Sequence, residues 1–283
     1  PKVTTLARDK YTDDHVGTVI DKNQVKDTVT LENLIPGQEY TLIGKLNKFG
    51  TTQPIVYNGE EVTATETFIA ENETEVHELV FSEYDTNPLR GETVVVFEYL
   101  YHPQKEVSPV LQVARTAKAT VQPTDSNPRN VEVATHENAT EEAQAVHYPW
   151  IRTVAVDTET GDHVGSIIGR LINSFRRLVG QDVPDDKFAG IIDTVEYKNL
   201  IPDQEYTITG VLMNKETGEK VLDENGKEIT SSTTIEANKH EANGEAKVYF
   251  ELDTSRLENV TVVCYEKLFH NNAKTGEPVE VDL

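Results

Sequence analysis

The protein has 283 residues, the length of about two ordinary domains. It has 26 Lys and Arg against 49 Asp and Glu, and the formal charge of −23 argues against a nucleic-acid binder or a protein drawn to anionic lipid. The single Cys excludes an internal disulfide, and no apolar run approaches the ~20 residues of a membrane span. The hydrophobic content of 37% is sufficient for packed cores, so we expect a folded protein.

An internal repeat organises the chain. Residues 33–40 and 199–206 share the pattern Asn-Leu-Ile-Pro-x-Gln-Glu-Tyr, and the run at 93–98 (Thr-Val-Val-Val-Phe-Glu) recurs at 261–266 (Thr-Val-Val-Cys-Tyr-Glu). A Thr-x-Ala followed by Asp-His-Val-Gly begins at Thr5 and again at Thr153. Because the matches occur in the same order, the sequence predicts two copies of one domain.

Most of each copy has the composition of β-strands. In chain order, strands are predicted at 39–44 and 93–97 in the first copy and at 205–210 and 261–265 in the second, separated by Gly- and Asn-containing turns. Many short strands at this spacing favour an all-β fold of two tandem immunoglobulin-like β-sandwich domains. The boundary is placed where one short strand gives way to the next, so the predicted domains are residues 1–146 and 147–283.

Each copy carries its own insertion. Residues 169–179 have apolar side chains at helical spacing, which predicts a short amphipathic helix in the second domain. In the first copy, the Pro- and Asn-rich stretch 122–128 predicts an exposed loop.

Four carboxylates stand out because they interrupt apolar strands. Glu98 and Glu266 each close a run of β-branched residues, and Asp27 and Asp193 each lie near the start of a strand. A buried carboxylate is costly unless it is paired or neutral, and two that meet share a proton, which raises one pKa. Such a pair can hydrogen-bond a carboxamide and polarise it.

The end of the first copy adds a histidine and a glutamine. His136 and Gln144 lie eight positions apart, and Thr5 lies at the start of the same copy. The first and last strands of such sandwiches are commonly neighbours, so Thr5 and Gln144 are expected to face each other. Thr4 is the alternative nucleophile, but the match to Thr153 favours Thr5.

These motifs together resemble the Thr–Gln ester-bond domains, which are immunoglobulin-like stalk domains of Gram-positive surface adhesins. The resemblance covers essentially the whole chain, as two copies. It implies an intramolecular ester between Thr5 and Gln144, formed autocatalytically with Asp27, Glu98 and His136 as catalytic residues. The Thr hydroxyl needs a base to become a nucleophile, His136 would shuttle the proton, and ammonia would leave.

The second copy departs from the pattern. Thr153, Asp193 and Glu266 match, but no His and Gln of the required spacing follow them. We therefore expect one cross-link in this chain, with the final strand of the second copy apparently missing. Cys264 replaces Val96 and is interpreted as a small core residue; a thioester is the weaker alternative.

The resulting functional hypothesis is a stalk segment of a cell-surface adhesin, not a turnover enzyme. The resemblance implies an extracellular location on the bacterial surface, with anchoring to the cell wall in the full-length parent. The abrupt start, without a visible signal peptide, is expected of an excised piece of a longer protein. Neighbouring stalk domains are the expected partners. We expect a monomer with no cofactor, metal, nucleic acid or membrane insertion, and the sequence does not identify a host ligand.

Two other functions remain open from the sequence. The insertions at 103–130 and 169–189 would form the ligand surface of a binding module, since long loops on a rigid sandwich often bind ligands. Two carboxylates also suit a glycosidase. However, the acids recur in both copies, and beside a His and a Gln they fit cross-linking better.

Overall fold

The computed structural model describes residues 1–103, 130–158, 160–163, 190–252, 257 and 259–281. Within these residues the chain is almost entirely β-structure, with 3-10 turns at Asn87–Leu89 and Glu142–Gln144. The predicted helix at 169–179 and the predicted loop at 122–128 lie outside the described residues.

The chain divides into two compact units. The first consists of residues 1–15, 21–85 and 93–146. The second consists of residues 16–20, 86–92 and 147–283. Two short stretches from the first half of the sequence therefore group with the second unit.

Strands β1 to β7 and β9 lie within the first unit, whereas β8 begins and β10 ends in residues that are assigned to the second unit. They are β1 (Lys2–Asp9), β2 (Val25–Glu32), β3 (Glu39–Lys48), β4 (Val56–Tyr57), β5 (Glu60–Glu61), β6 (Thr63–Ile69), β7 (Thr74–Val80), β8 (Glu92–Pro103), β9 (Asn130–His136) and β10 (Ala145–Tyr148). One sheet has the order β1-β2-β7 and the other β10-β8-β3-β6, with β9 also paired to β8. Strands β4 and β5 form a separate hairpin around the Asn58-Gly59 turn.

The second unit repeats this plan. Its strands are β11 (Trp150–Asp157), β12 (Gly190–Lys198), β13 (Tyr206–Asn214), β14 (Thr230–Ile235), β15 (Gly244–Glu251), β16 (Val262–Asn271) and β17 (Pro278–Glu280). They form the sheets β11-β12-β15 and β14-β13-β16-β17. The fold is thus all-β, with two immunoglobulin-like sandwiches in tandem, as the sequence predicts.

Each sandwich is built by alternation of side chains along its strands. In β2 every second residue is fully or almost fully buried, and the buried positions are Val25, Asp27, Val29 and Leu31. Since successive side chains point to opposite faces of a strand, this pattern turns one face of the sheet toward the core. Asp27 therefore occupies a core position between two valines.

Strand β8 is longer than the sequence predicts. Glu98 was expected to end a strand, but β8 continues to Pro103 because its second half pairs with β3 on one side and β9 on the other. Glu98 consequently lies in the middle of a buried strand, with no solvent-exposed end to accommodate its charge.

Candidate functional site: a threonine, two acids, a histidine and a glutamine

The pairing of β1 with β2 places the first two site residues on one face. Thr5 lies opposite Val29, and Ala7 lies opposite Asp27. Paired residues share a face, so Thr5 and Asp27 both point inward, whereas Thr4 is exposed. The small Ala7 leaves space beside the Asp27 carboxylate.

The Thr5 hydroxyl lies between two buried acids from opposite sheets. Its Oγ1 is 2.9 Å from Asp27 Oδ1 and 3.1 Å from Glu98 Oε1. A hydroxyl has one proton to donate, so Thr5 can donate to only one of these oxygens at a time. Both oxygens lie within hydrogen-bonding distance of the hydroxyl, whose proton must leave before the oxygen can act as a nucleophile.

Glu98 connects Thr5 to a histidine at the surface. Glu98 and His136 are cross-strand partners on β8 and β9, and His136 Nδ1 is 3.2 Å from Glu98 Oε2. The Glu98 side chain has an exposed fraction of 0%, whereas that of His136 is 27% exposed. His136 therefore contacts the acid that contacts Thr5, and it also reaches solvent.

Gln144 supplies a buried carboxamide. It ends the 3-10 turn Glu142–Gln144, which packs against β1, and it is fully inaccessible to solvent. Neither its Nε2 nor its Oε1 has a hydrogen-bond partner. An unsatisfied buried amide costs about 1–3 kcal/mol, so the fold holds this group at an energetic cost.

The two acids hold protons far more tightly than carboxyl groups in water. Burial, followed by the neighbouring Glu98, raises the pKa of Asp27 to about 9. Burial also raises the pKa of Glu98 to about 7, although hydrogen bonds from Asp27 and Thr5 oppose that rise. At neutral pH the pair therefore retains a proton, mainly on Asp27, while Glu98 can still accept one.

The second unit reproduces the nucleophile and the acids. Thr153 lies opposite Val195 and Ala155 opposite Asp193, the same register as in the first unit. Asp193 is fully buried, and burial together with Asp193 raises the pKa of Glu266 to about 9. Strand β17 pairs with Phe269–Asn271, so none of its described residues lies opposite Glu266.

One feature of the site was missed in the sequence. Gly44 lies opposite Glu98 on β3, and a Cβ at this position would come within 2.6 Å of Phe81 Cζ. In the second unit a Cβ on Gly210 would come equally close to Phe250, at 2.6 Å. A glycine inside a strand often marks such a close approach, and its recurrence in both copies was the available signal.

The structure also bears on the interpretation of Cys264, of the two insertions and of a membrane span. Cys264 is half-buried and packs against the hydrophobic core of the second unit, beside Asp193 and Glu266. Of the proposed ligand-binding insertions, residues 104–129 and 169–189 lie outside the described residues. None of the helical segments within the described residues has the length and apolarity that a membrane span needs.

Comparison with known proteins identifies the family of the chain. The family model for the T-Q ester bond containing domain matches residues 1–148 and again residues 149–282. A search of curated proteins returned no match. Among solved structures, the chain is similar to an adhesin from Mobiluncus mulieris, described as containing intramolecular disulfide, isopeptide and ester bond cross-links.

That adhesin has been solved in two crystal forms. In the first, the identity is 13%, the alignment covers 97% of this chain and 81% of the adhesin chain, and the TM-score is 0.36. In the second, the identity is 14%, the coverage 95% and 80%, and the TM-score 0.35. The family model matches both halves of the chain, and so the protein belongs to the family of T-Q ester bond containing domains, of which it holds two copies.

Proposed function

We propose that the first domain closes an ester bond between the Thr5 hydroxyl and the Gln144 carboxamide, without any other enzyme. The observation that carries the proposal is the fully buried Gln144 carboxamide, which has no hydrogen-bond partner and lies in a turn packed against the strand of Thr5. Packing of this turn against β1 supports a close approach of the two reacting groups, and well-oriented groups gain up to ~7–11 kcal/mol from proximity.

The acids have separate roles in this reaction. Glu98 has the lower pKa and lies 3.1 Å from Thr5 Oγ1, so it takes the hydroxyl proton as attack begins. Asp27 keeps its proton, and the hydrogen bond that it gives to Glu98 passes to the carboxamide once Glu98 has taken up the Thr5 proton. Donation at that point stabilises the charge that develops in the tetrahedral intermediate.

His136 connects the buried pair to water. It contacts Glu98 and not Thr5, so in this arrangement it relays protons and holds Glu98 in place. A histidine is suited to this relay because its ordinary pKa lies near physiological pH.

The reaction balances within the domain. The bond from Thr5 Oγ1 to Gln144 Cδ forms, the bond from Cδ to Nε2 breaks, and Nε2 leaves as ammonia with the hydroxyl proton. Departure of ammonia also removes a buried amide nitrogen that has no acceptor. Each molecule reacts once, so the product is a cross-linked domain and not a turnover catalyst.

We further propose that the cross-linked domain serves as a stalk segment of a bacterial cell-surface adhesin, in a longer parent anchored to the cell wall. Membership of the ester-bond family and the tandem sandwich plan support this role. An ester that encloses residues 5–144 would constrain the unfolded chain as a disulfide does, a stabilisation on the order of 4–5 kcal/mol. It would thereby provide a covalent staple and protease resistance without a cysteine pair.

The test is the intact mass of the denatured 283-residue chain. One ester makes the chain lighter by one ammonia, and Thr5→Ala or Gln144→Ala should restore the unmodified mass. Thr153→Ala is the matched control, because it removes the corresponding threonine of the second domain and should keep the mass loss. An unmodified mass in the parent protein, or a loss that survives Thr5→Ala, would overturn the proposal.

A further inference from the structure

The Asp-His-Val-Gly motif recurs in both copies and lies outside the set of residues that react. In the first unit it begins at Asp14, in the turn that follows β1. This turn is anchored to the end of β1, because Asp9 N donates to Asp14 O at 2.9 Å and Asp13 N donates to Asp9 O at 3.0 Å. A hydrogen-bonded turn therefore joins the strand of Thr5 to His15, the second residue of the motif.

His15 reaches from this turn to the residue that follows Gln144. Its Nδ1 lies 2.8 Å from the carbonyl oxygen of Ala145. A carbonyl oxygen can only accept, so in this arrangement the imidazole holds a proton on Nδ1 and donates it. The backbone N–H of His15 donates in turn to Oδ1 of the buried Asp14, at 2.6 Å. The backbone and the side chain of the histidine are thus both held.

The Gln144 backbone is held from both sides. On its N-terminal side, Gln144 N donates to Glu141 O at 3.1 Å, and Ala145 N donates to Glu142 O. On its C-terminal side, the bond from His15 fixes the Ala145 carbonyl. The Gln144 carboxamide has no hydrogen bond of its own, so its place depends on this backbone.

We propose that His15 is a positioning residue for ester formation, which clamps the segment of Gln144 to the element that carries Thr5. The inference rests on the proposed function, because it assigns His15 a task within that reaction. Where a reaction depends on proximity, a displacement of about 1 Å can cost about 100-fold in rate. His15 acts through the Ala145 peptide and takes up no proton in the reaction.

The second unit shows that the turn forms without such a clamp. Asp157 N donates to Asp162 O at 2.9 Å, and His163 N donates to Asp162 Oδ1 at 2.6 Å, the same two bonds as in the first unit. His163 is nevertheless exposed, whereas His15 is half-buried. The turn is therefore expected to survive a change of the His15 side chain, and His163 offers a matched control position.

The rate of ester formation tests the positioning role. His15→Ala should lose ammonia about 10- to 100-fold more slowly than the parent, measured by the intact mass of freshly translated chain against time. His15→Asn should recover most of the rate, because its amide nitrogen is bonded to Cγ as Nδ1 is and can donate to the same carbonyl. Both variants should keep the pH profile of the parent, which a role in proton transfer would change.

Matched variants guard this result. His163→Ala should react at the parental rate. His15→Gln should be slow like His15→Ala, because its amide lies one bond further from the backbone, and it replaces His15→Ala if that variant does not show parental circular dichroism. A parental rate in His15→Ala or His15→Gln, or a slow rate in His15→Asn, would overturn the proposal.

Amide hydrogen exchange tests the clamp without the ester. In a Thr5→Ala background, His15→Ala should speed exchange across residues 142–148, and His15→Asn should not. Unchanged exchange in His15→Ala would overturn the clamp, even in a parent chain that forms the ester. A parent chain that never loses ammonia would instead overturn the ester bond, and the role of His15 in forming it, whatever the exchange shows.

Discussion

Ala7 lies directly opposite Asp27 in the antiparallel pairing of β1 with β2, and both residues are fully buried. The Ala7 side chain is a single methyl group, so a larger side chain at this fully buried position would have to displace its neighbours. Ala155 and Asp193 repeat the relationship in the second domain. The small residue is therefore as much a part of the site as the acid that it faces.

Ala7→Leu should slow ester formation and destabilise the first domain. The added side-chain carbons have no space in a packed interior, and overpacking of this kind typically costs about 1–3 kcal/mol. The fraction of cross-linked chain, measured by intact mass against time, and the unfolding midpoint of the product report the two effects. Leu6→Val is the control, because Leu6 is exposed on the opposite face of β1. Equal rates in the two variants would show that Asp27 does not need this space.

Ester formation should have a bell-shaped dependence on pH. Below about 7 Glu98 is protonated and cannot accept the Thr5 proton, and above about 9 Asp27 loses the proton that it donates. Freshly translated protein can be placed in buffers from about pH 5 to about pH 10, quenched in denaturant and weighed by mass spectrometry. A rate that rises steadily through this range would contradict the division of roles between the two acids.

His136→Ala should slow the reaction without moving Thr5 from its acids. General acid–base catalysis contributes typically about 10²–10⁴-fold, so the variant should cross-link over hours if the parent does so within minutes. Added imidazole should restore part of the rate, because the His136 side chain is partly open to solvent. His163→Ala alters an exposed histidine of the second unit and should react like the parent. A purely structural role for His136 would give no imidazole rescue.

The unlinked first domain should lose stability as the pH rises. Asp27 and Glu98 have pKa values of about 9 and about 7 in the folded state, against ordinary values of 3.8 and 4.5. The folded state therefore binds more protons than the unfolded chain between these limits, and stability that is fully present at low pH falls through pH 7 and pH 9.

Paired variants isolate this effect. Urea midpoints of Gln144→Ala and of the double variant Asp27→Asn/Gln144→Ala should differ by an amount that changes with pH, because the asparagine cannot ionise. The second domain is the same in both proteins and cancels from the comparison. Parallel midpoints at every pH would mean that Asp27 does not carry a raised pKa.

Individual residues show which features of the fold could be predicted from the sequence and which could not. The internal repeat and the β-composition predicted the sandwich fold. The recurrence of Asp27 and Glu98 beside apolar strands in both copies identified them as candidate buried acids, and both are fully buried. Glu98 was misplaced at a strand end because the second half of β8 pairs with β3 and β9, which are distant in sequence. Such pairing leaves little local signal.

The relations between site residues were harder to predict than their identities. The resemblance placed Gln144 on the last strand, whereas it ends a 3-10 turn immediately before β10. His136 was expected to shuttle the Thr5 proton, and in the structure it contacts Glu98, which in turn contacts Thr5. Both relations depend on the register between paired strands and on the turn that lies between β9 and β10. Neither can be predicted from the sequence of a single strand.

The position of Gln144 beside β1 has a consequence for a chain pulled from its ends. Force that enters at Pro1 reaches Thr5 along the first strand and, once the ester has formed, crosses directly to Gln144 and β10. Residues 6–143 would then add no contour length to the stretched molecule, however many of their hydrogen bonds break. In a single-molecule extension trace, the closed bond would be recognised by the length that never appears.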